Sequence, residues 1–333
     1  MAKTPGKPTI TDVAHRAGVS LSTVSRVMNG NATVDAEMAE RVRAAASELG
    51  YTANPLARSL VLGRTQTIAV VVPDLANPTF QEILRGLSRA AAADGYHVLI
   101  ADSAEQVAEE PVLATETRRR TDGVVLCAPR MTDDDLAALL PTLTPVVVIN
   151  RPAQASAPVV GADYRTAFRT VVDHLYGRGH RHLIYLAGLE RSASNAARRA
   201  ALADARAAHA DLVVDEIPCG VDFDSGSGAA DAVSASGATG ALAFNDLVAM
   251  GLLSALADRG IRVPQDISVA GFDDIPFAQY TTPPLTTSAV PGGDLGARAW
   301  AAMKAQLTGG EADAAVALTP RLLVRGSTGP APA

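Results

Sequence analysis

A short amphipathic segment near the start of the chain carries side chains suited to nucleic-acid contact. Over residues 21–28, Val24 and Val27 recur at helical spacing and mark an apolar face. A solvated helix face is normally rich in Glu and Lys, but the opposite face here carries hydroxyls and one guanidinium. Such groups bind phosphates and base edges in the major groove of DNA. The residues of this face are Leu21, Ser22, Ser25 and Arg26.

Two helices joined by a tight turn position these side chains. Thr11 or Asp12 can cap a first helix over residues 12–17, and Gly18 supplies the left-handed turn position. Ser20 then caps the second helix. This is the helix-turn-helix arrangement, which places its second helix in the major groove. Small three-helix proteins share the pattern, so the pattern alone leaves DNA binding open.

A second segment strengthens the DNA-binding interpretation. A third helix is predicted from Ala36 to Leu49, with Asp35 as its cap. Farther on, Asn54 as N-cap, Pro55 at the first helical position and Gly63 past the end frame a helix of about two turns. A helix that short is unstable alone in water. A partner must order it, and DNA is the candidate.

Together these motifs resemble the LacI (lactose-repressor) family of bacterial transcriptional regulators, over nearly the whole chain. The segments Arg262–Val269 and Pro283–Thr287 also resemble family sequence. The resemblance implies that residues 54–62 form a hinge helix, which folds when paired with its dimer mate on the operator. It also implies that Leu60 wedges into the minor groove and kinks the duplex.

The resemblance further implies how each residue would contact DNA. A homodimer, associating along helices such as Phe80–Ala92, would present two headpieces to a double-stranded, pseudopalindromic operator. Leu21, Ser22 and Arg26 would read base edges, with Arg26 bidentate to guanine. Ala57 and Leu60 would occupy the opened minor groove. The residues expected to hold phosphates are Thr9, Ser20, Thr23, Ser25, Asn29, Tyr51 and Asn54.

Composition and charge agree with a DNA-binding head on a larger sensor. The 333 residues carry a net charge of −6. Residues 1–64 hold eight Lys or Arg against five Asp or Glu, whereas the remainder holds 21 against 30. No long apolar run and no apolar leader are present, so a cytoplasmic protein is expected. Cys127 and Cys219 read as free thiols, and no metal or cofactor spacing appears.

From residue 66 onward, short β-rich runs alternate with amphipathic helices, which predicts parallel sheets covered on both faces. The fold class is an all-α helix-turn-helix headpiece plus hinge helix, followed by a two-lobed α/β sensor similar to periplasmic binding proteins, with doubly wound parallel sheets. The predicted domains are residues 1–53 for the headpiece and 54–65 for the hinge helix and linker. The N-terminal lobe is expected over 66–162 and 291–320, and the C-terminal lobe over 163–290 and 321–333. The predicted strands are Thr67–Val72, His97–Ala101, Gly123–Cys127, Val146–Asn150, Val159–Ala162, His182–Ala187, Glu216–Cys219, Ala241–Phe244, Ser268–Phe272 and Leu285–Ala289.

Polar side chains follow most of these strands, where open α/β sheets bind ligands. Carboxylates, amides and Arg around a few aromatic rings suit a polyhydroxylated ligand, with Phe80 and Phe223 packed on a sugar ring. Asp163 and Asp246 are interpreted as helix caps. The resemblance to the LacI family narrows the effector site, and Asn150-Arg151 favours a mono- or disaccharide over a purine. The expected effector-binding residues are Phe80, Asn150, Arg151, Ser192, Arg198, Phe223, Asn245 and Asp273.

Three function classes compete at this point. A ligand-controlled repressor of a carbohydrate-use operon fits both the N-terminal helix-turn-helix headpiece and the two-lobed α/β body. A periplasmic solute-binding protein fits only the body, and lacks the expected secretory signal. A cytosolic enzyme lacks a Gly-x-Gly-x-x-Gly loop or a nucleophile motif. Within the first class, a non-sugar ligand or a protein corepressor remains an alternative.

Overall fold

The structure is a computed structural model that describes residues 8–28, 34–52 and 63–332. The chain divides into two compact units, Met1–Gln66 and Thr67–Ala333. The described part of the smaller unit before residue 53 is all-α, and the larger unit is α/β, as the sequence predicts. Within the described residues, no helix is both long and apolar enough to cross a bilayer.

Three helices form the described part of the smaller unit: α1 (Ile10–Ala17), α2 (Leu21–Met28) and α3 (Ala36–Leu49). Fully buried valines from all three meet in one core. Gly18 ends α1 at a φ of 66°, a left-handed conformation that glycine adopts without strain. The Arg41 side chain donates to the carbonyl of Ala17 at 3.1 Å and ties α3 to the end of α1. The predicted helix-turn-helix is confirmed.

The cap of α1 differs from the prediction, which placed it at Thr11 or Asp12. Thr9 is the cap residue: its hydroxyl accepts from the Asp12 N–H at 3.4 Å, and the Asp12 carboxylate accepts from the Thr9 N–H at 2.8 Å. This reciprocal box satisfies two N–H groups that a helix start otherwise leaves unpaired. The caps predicted for the other two helices, Ser20 and Asp35, are confirmed, each accepting a backbone N–H at 3.1 Å.

The first lobe of the larger unit is built on a six-stranded, fully parallel sheet in the order β11-β5-β4-β3-β1-β2. Its central strands are Val- and Ile-rich and buried throughout, as a sheet covered on both faces requires. Because β1 lies between β2 and β3, the strand order reverses there, and a cleft is expected beyond the carboxyl ends. The strands are β1 (Thr67–Val72), β2 (His97–Asp102), β3 (Gly123–Cys127), β4 (Val146–Ile149), β5 (Val159–Ala162) and β11 (Ala315–Leu318).

Helices cover both faces of this sheet. They are α4 (Pro78–Ala93), α5 (Glu109–Arg118), α6 (Asp133–Leu139) and α12 (Gly292–Leu307). Asn77 caps α4, and Pro78 occupies its first turn. Helices α4 and α12 pack backbone against backbone, since a Cβ at Gly86 would lie 2.1 Å from the Gly293 carbonyl oxygen. This contact holds α4 and α12 together, and the start of α4 faces the second lobe.

The second lobe is built on a four-stranded parallel sheet in the order β7-β6-β8-β9, with its own reversal at β6. Strands β10 and β12 form a small antiparallel pair. The strands are β6 (His182–Ala187), β7 (Val213–Pro218), β8 (Gly240–Ala243), β9 (Ser268–Ala270), β10 (Thr287–Ala289) and β12 (Arg321–Leu323). The helices are α7 (Tyr164–Gly177), α8 (Ala193–Ala208), α9 (Phe223–Gly228), α10 (Ala230–Ala235) and α11 (Asp246–Asp258).

All ten predicted strands occur, several with shifted ends, and the predicted parallel doubly wound architecture is confirmed. Residues 223–235 form two short helices, α9 and α10. Gly226 and Gly251 bring the backbones of α9 and α11 together. Strands β11 and β12 were not predicted. The lobe and hinge boundaries stay predictions.

Both cysteines are free thiols. Burial raises the pKa of Cys127 to about 12 and that of Cys219 to about 11, so both stay protonated at neutral pH.

Candidate functional site

The exposed face of α2 is the candidate nucleic-acid interface. Leu21 is 50 % exposed, and Ser22 and Arg26 are also exposed, whereas Val24 and Val27 are buried. The face predicted from the sequence is therefore available to a partner. Its groups are those that read base edges in the major groove.

Hydroxyl groups cluster at the start of α2. The Ser20 hydroxyl lies 2.8 Å from the Ser22 hydroxyl and 2.9 Å from the Thr23 hydroxyl. A helix N-terminus with converging O–H and N–H donors suits a phosphate. Thr9 is engaged in the capping box, and Tyr51 packs partly buried against the headpiece core. Asn29, Asn54, Ala57, Leu60 and the whole predicted hinge helix (residues 54–62) lie outside the described residues.

A cleft between the two lobes is the candidate ligand site. It holds about 30 Å³ of free space, room for about two water molecules. Its walls combine residues at the carboxyl ends of strands from both lobes, where ligands are expected in open α/β sheets. The lining residues are Asn77, Thr79, Phe80, Glu105, Ala128, Arg130, Asn150, Tyr164, Ser194, Arg198, Val221, Phe244 and Asp273.

Arg198, on α8, is the most unusual group in this cleft. Its side chain is 1 % exposed, and its guanidinium carbon lies 4.3 Å from the ring centre of Phe272 and 4.5 Å from that of Phe244. The Tyr164 ring is 4.9 Å away. Ring faces attract a cation and partly offset its desolvation. One terminal nitrogen donates to the Ser194 carbonyl at 2.9 Å, but the buried Nε–H finds no partner among the described residues.

Asp273 brings a carboxylate to the same cleft. Burial raises the pKa of this carboxyl to about 6, while Arg198 and the Thr79 hydroxyl act to lower it. The Thr79 hydroxyl donates to Asp273 Oδ2 at 2.8 Å. Because Thr79 starts α4 in the first lobe and Asp273 follows β9 in the second, this hydrogen bond joins the lobes.

A second polar contact crosses the cleft. Asn150 follows β4 with a φ of 55°, and its amide donates to the Tyr164 hydroxyl at 2.9 Å. Its carbonyl oxygen accepts from the Ala162 N–H at 3.1 Å. Burial raises the pKa of Tyr164, so the hydroxyl stays neutral. Phe80, at 7 % exposed, supplies apolar surface beside these groups.

Sequence reasoning missed one charged pair of the cleft. The expected effector residues include neither Arg130 nor Glu105, although both line the cleft. The Arg130 guanidinium is bound at two positions by the Glu105 carboxylate, each at 2.9 Å. The Arg130 N–H donates to the buried carboxylate of Glu110 at 2.8 Å. Arg130 alone carries a sequence signal, because it is a polar residue three positions after the end of β3.

Four expected effector residues do not line the cleft. Arg151 lines a neighbouring surface pocket, with its guanidinium bound to backbone carbonyls and to Asp133. Ser192 is buried as the cap of α8, next to the cleft residue Ser194. Phe223, at the start of α9, is 46 % exposed. Asn245, the fourth residue, does not line the cleft because its side chain caps α11.

Asn245 takes the capping role that was expected of Asp246. Asn245 caps α11 by accepting from the Val248 N–H at 2.9 Å, and its amide donates to the Val221 carbonyl at 2.8 Å. The prediction that Asp246 is a cap is therefore wrong, because Asn245 already holds that position. The prediction that Asp163 is a cap is confirmed, since it accepts from the Thr166 N–H at 3.0 Å.

The fold and the two sites define a class of protein: a helix-turn-helix headpiece followed by a two-lobed ligand-binding body. Family models agree, with bacterial regulatory proteins of the lacI family matching residues 9–54 and a periplasmic binding protein-like domain matching residues 172–328.

Whole-length relatives extend this agreement. The transcriptional repressor CytR of Escherichia coli K12 is 33 % identical over 96 % of both chains. The lac repressor dimer bound to operator and the anti-inducer ONPF is 26 % identical with a TM-score of 0.89, covering 97 % of this chain and all of that one. The regulator CelR in complex with cellobiose is 28 % identical with a TM-score of 0.68, covering 96 % and 99 %. The chain belongs to the LacI family of bacterial transcriptional regulators.

Proposed function

We propose that this regulator represses a carbohydrate-use operon and that a neutral mono- or disaccharide in the interlobe cleft controls its operator affinity. The carrying observation is that buried Arg198, which lies against aromatic rings, and the Asp273 carboxylate line the same cleft at the lobe interface. Arginine and carboxylate groups together supply donors and acceptors for adjacent hydroxyls. Aromatic rings supply the apolar wall that a sugar face needs.

The charges of the cleft favour a neutral ligand. Two arginines, Arg130 and Arg198, are balanced by two carboxylates, Glu105 and Asp273. A ligand with a full charge would bring into the cleft a charge that no group there balances, which is costly. A polyol makes hydrogen bonds to each without changing the balance.

The small free volume of the cleft explains how a bound sugar can change the arrangement of the two lobes. A cleft of about 30 Å³ cannot admit a sugar ring unless the lobes separate. Separation would break the bond from Thr79 to Asp273, and a sugar hydroxyl can replace the Thr79 donor. Ligand binding therefore selects a different lobe angle, and it can shift the equilibrium only by its differential affinity for the two arrangements.

Exposed apolar side chains support the proposed homodimer. Leu99 and Ile100 on edge strand β2 are 39 % and 43 % exposed, and Phe277 and Tyr280 in the second lobe are 55 % and 78 % exposed. An unpaired edge strand and large exposed rings favour burial by a partner. A second copy of this chain is the proposed partner for these exposed side chains, since two headpieces are needed for a pseudopalindromic operator.

Because the operator is chromosomal DNA, the proposed site of action is the cytoplasm.

Two measurements test this function. Thermal unfolding is followed with a panel of mono- and disaccharides, and a sugar that stabilises the chain is expected. Gel shift with the DNA flanking the chain's own gene then tests operator binding with and without that sugar. Arg26→Ala should weaken the shift markedly, while Arg43→Ala, which removes an exposed arginine paired with Glu40, should leave it unchanged. A chain that binds a sugar but shifts no flanking DNA contradicts the proposal.

A further inference from the structure

Asp246 is a buried carboxyl that the expected effector site does not include. It lies at the first position of α11 and is 0 % exposed. The fit around it is tight, because a Cβ at Gly271 would lie 2.2 Å from its Oδ1. A buried carboxyl must be satisfied by hydrogen bonds, or its desolvation is expensive.

Asp246 makes three hydrogen bonds to the turn that carries Asp273 and to the strand beside it. Its N–H donates to the Phe272 carbonyl at 2.8 Å, directly before the turn. Its Oδ2 accepts from the Ile275 N–H at 2.9 Å, directly after it. Its Oδ1 accepts from the Thr287 hydroxyl at 2.6 Å. One side chain and its own backbone therefore clamp the turn at both ends.

The clamped turn has a backbone that needs support. Asp273 and Asp274 have φ angles of 111° and 59°, two consecutive non-glycine residues in the left-handed half of the map. Such conformations cost on the order of 1–3 kcal/mol each and persist only where surrounding contacts hold them. The Thr287 hydroxyl, held by Asp246, accepts from the Asp274 N–H at 3.3 Å and extends the clamp into the turn.

We propose that Asp246 is a positioning residue for effector recognition, which holds the Asp273 turn so that its carboxylate faces the cleft. The inference rests on the proposed function of that cleft. Asp246 does not line the cleft itself. It acts through Asp273, whose carboxylate meets Thr79 across the lobe boundary.

Burial strongly raises the pKa of Asp246, and the nearby Asp273 charge raises it further. The pair therefore resists carrying two charges, and a neutral group at residue 246 serves the clamp. Asp246→Asn retains both side-chain hydrogen bonds, since the amide oxygen can accept from the Ile275 N–H and the amide nitrogen can donate to the Thr287 oxygen. Asp246→Ala removes both side-chain hydrogen bonds.

Site-resolved hydrogen exchange on the full-length chain without sugar tests the clamp. Two amides report on it without touching Asp246: the Asp273 N–H, bound to the Ser288 carbonyl at 2.8 Å, and the Val290 N–H, bound to the Asp273 carbonyl at 3.1 Å. Asp246→Ala should accelerate exchange at both by at least about tenfold, equivalent to ~1.4 kcal/mol. Asp246→Asn should stay within about threefold of wild type.

Ser327→Ala is the matched control. It removes a buried side chain of the same lobe that accepts from the Thr286 N–H at 2.8 Å and donates to the Val269 carbonyl at 2.6 Å. It should leave the Asp273 amide unchanged. If Asp246→Ala fails to fold, Thr287→Val removes one of the two side-chain hydrogen bonds of Asp246 and should still accelerate the two amides by more than about fivefold. Unchanged exchange in the folded variants, or equal acceleration by Ser327→Ala, overturns the proposal.

Calorimetric titration with cellobiose adds the functional readout. Asp246→Ala should weaken binding at least about tenfold, and Asp246→Asn should restore it to within about threefold, whereas a purely structural residue would lower stability without this rescue. Full cellobiose affinity in a folded Asp246→Ala protein overturns the positioning role. If the wild-type protein binds no cellobiose, cellobiose is excluded as the effector. The hydrogen-exchange experiment, which uses no sugar, then tests whether Asp246 holds the Asp273 turn.

Discussion

Asp273→Asn should change how the stability of the sensor unit depends on pH. Burial raises the pKa of Asp273 from 3.8 to about 6. A carboxyl with a higher pKa in the folded than in the unfolded chain contributes stability that is fully present below pH 3.8 and is lost as the pH rises through 6. The loss amounts to about 3 kcal/mol. Asparagine does not titrate, so the variant escapes this loss.

Urea unfolding at a series of pH values, followed by fluorescence of the single Trp300, measures the effect. Between pH 4 and pH 7.5, the unfolding free energy of Asp273→Asn minus that of wild type should rise by about 2.4 kcal/mol, because part of the total loss already occurs below pH 4. Asp266→Asn is the control. Its pKa is lowered to about 2 by hydrogen bonds from Arg262, so its own contribution changes only below this pH range.

A difference between wild type and Asp273→Asn that stays constant from pH 4 to pH 7.5 would refute the buried position of this carboxyl. The same variant also tests the switch. Asp273→Asn, like Asp273→Ala, should bind operator normally and ignore the sugar, because the cleft loses a charged acceptor while the headpiece is untouched.

Three further predictions concern the headpiece and Arg198. Arg198→Met should weaken sugar binding at least about tenfold in calorimetry, since it removes the charge-assisted donor of the cleft; unchanged affinity would exclude Arg198 from the site. Arg26→Ala should cost about 1–3 kcal/mol at the operator and relax base choice at one position, measured by anisotropy with mutated duplexes; a uniform loss on all sequences would indicate phosphate contact instead. Leu60→Ala, at a position known from sequence alone, should weaken operator binding but not sugar binding, and an unchanged gel shift would contradict the minor-groove wedge.

The sequence predicts most of the fold because its signals are local. The capping position of Asp35, the turn at Gly18 and the Val-rich runs of β3 and β4 each specify their own element through short-range chemistry. Strand β11 was missed because its sequence, Ala315–Leu318, has no strong β preference. It becomes a strand only through pairing with β5 at the edge of the sheet.

The candidate site is less predictable because a polar residue after a strand has two uses. Ser192 and Asn245 satisfy the N–H groups of their own helices, whereas Arg198 and Asp273 turn into the cleft. Sequence position does not separate these cases; the packing of the two lobes does. Glu105 lies in a loop with a φ of 56°, and its pairing with Arg130 depends on tertiary contact across 25 residues.

The proposal that a sugar in the cleft controls operator affinity is tested most directly by measuring that affinity. The full-length chain is titrated onto fluorescent duplex DNA flanking its gene, and binding is followed by anisotropy. The titration is done with and without a saturating concentration of a sugar that calorimetry shows to bind. We expect the sugar to change operator affinity at least about tenfold, and Asp273→Asn to abolish that change. An operator affinity that stays the same when the cleft is occupied would contradict the link between cleft and headpiece.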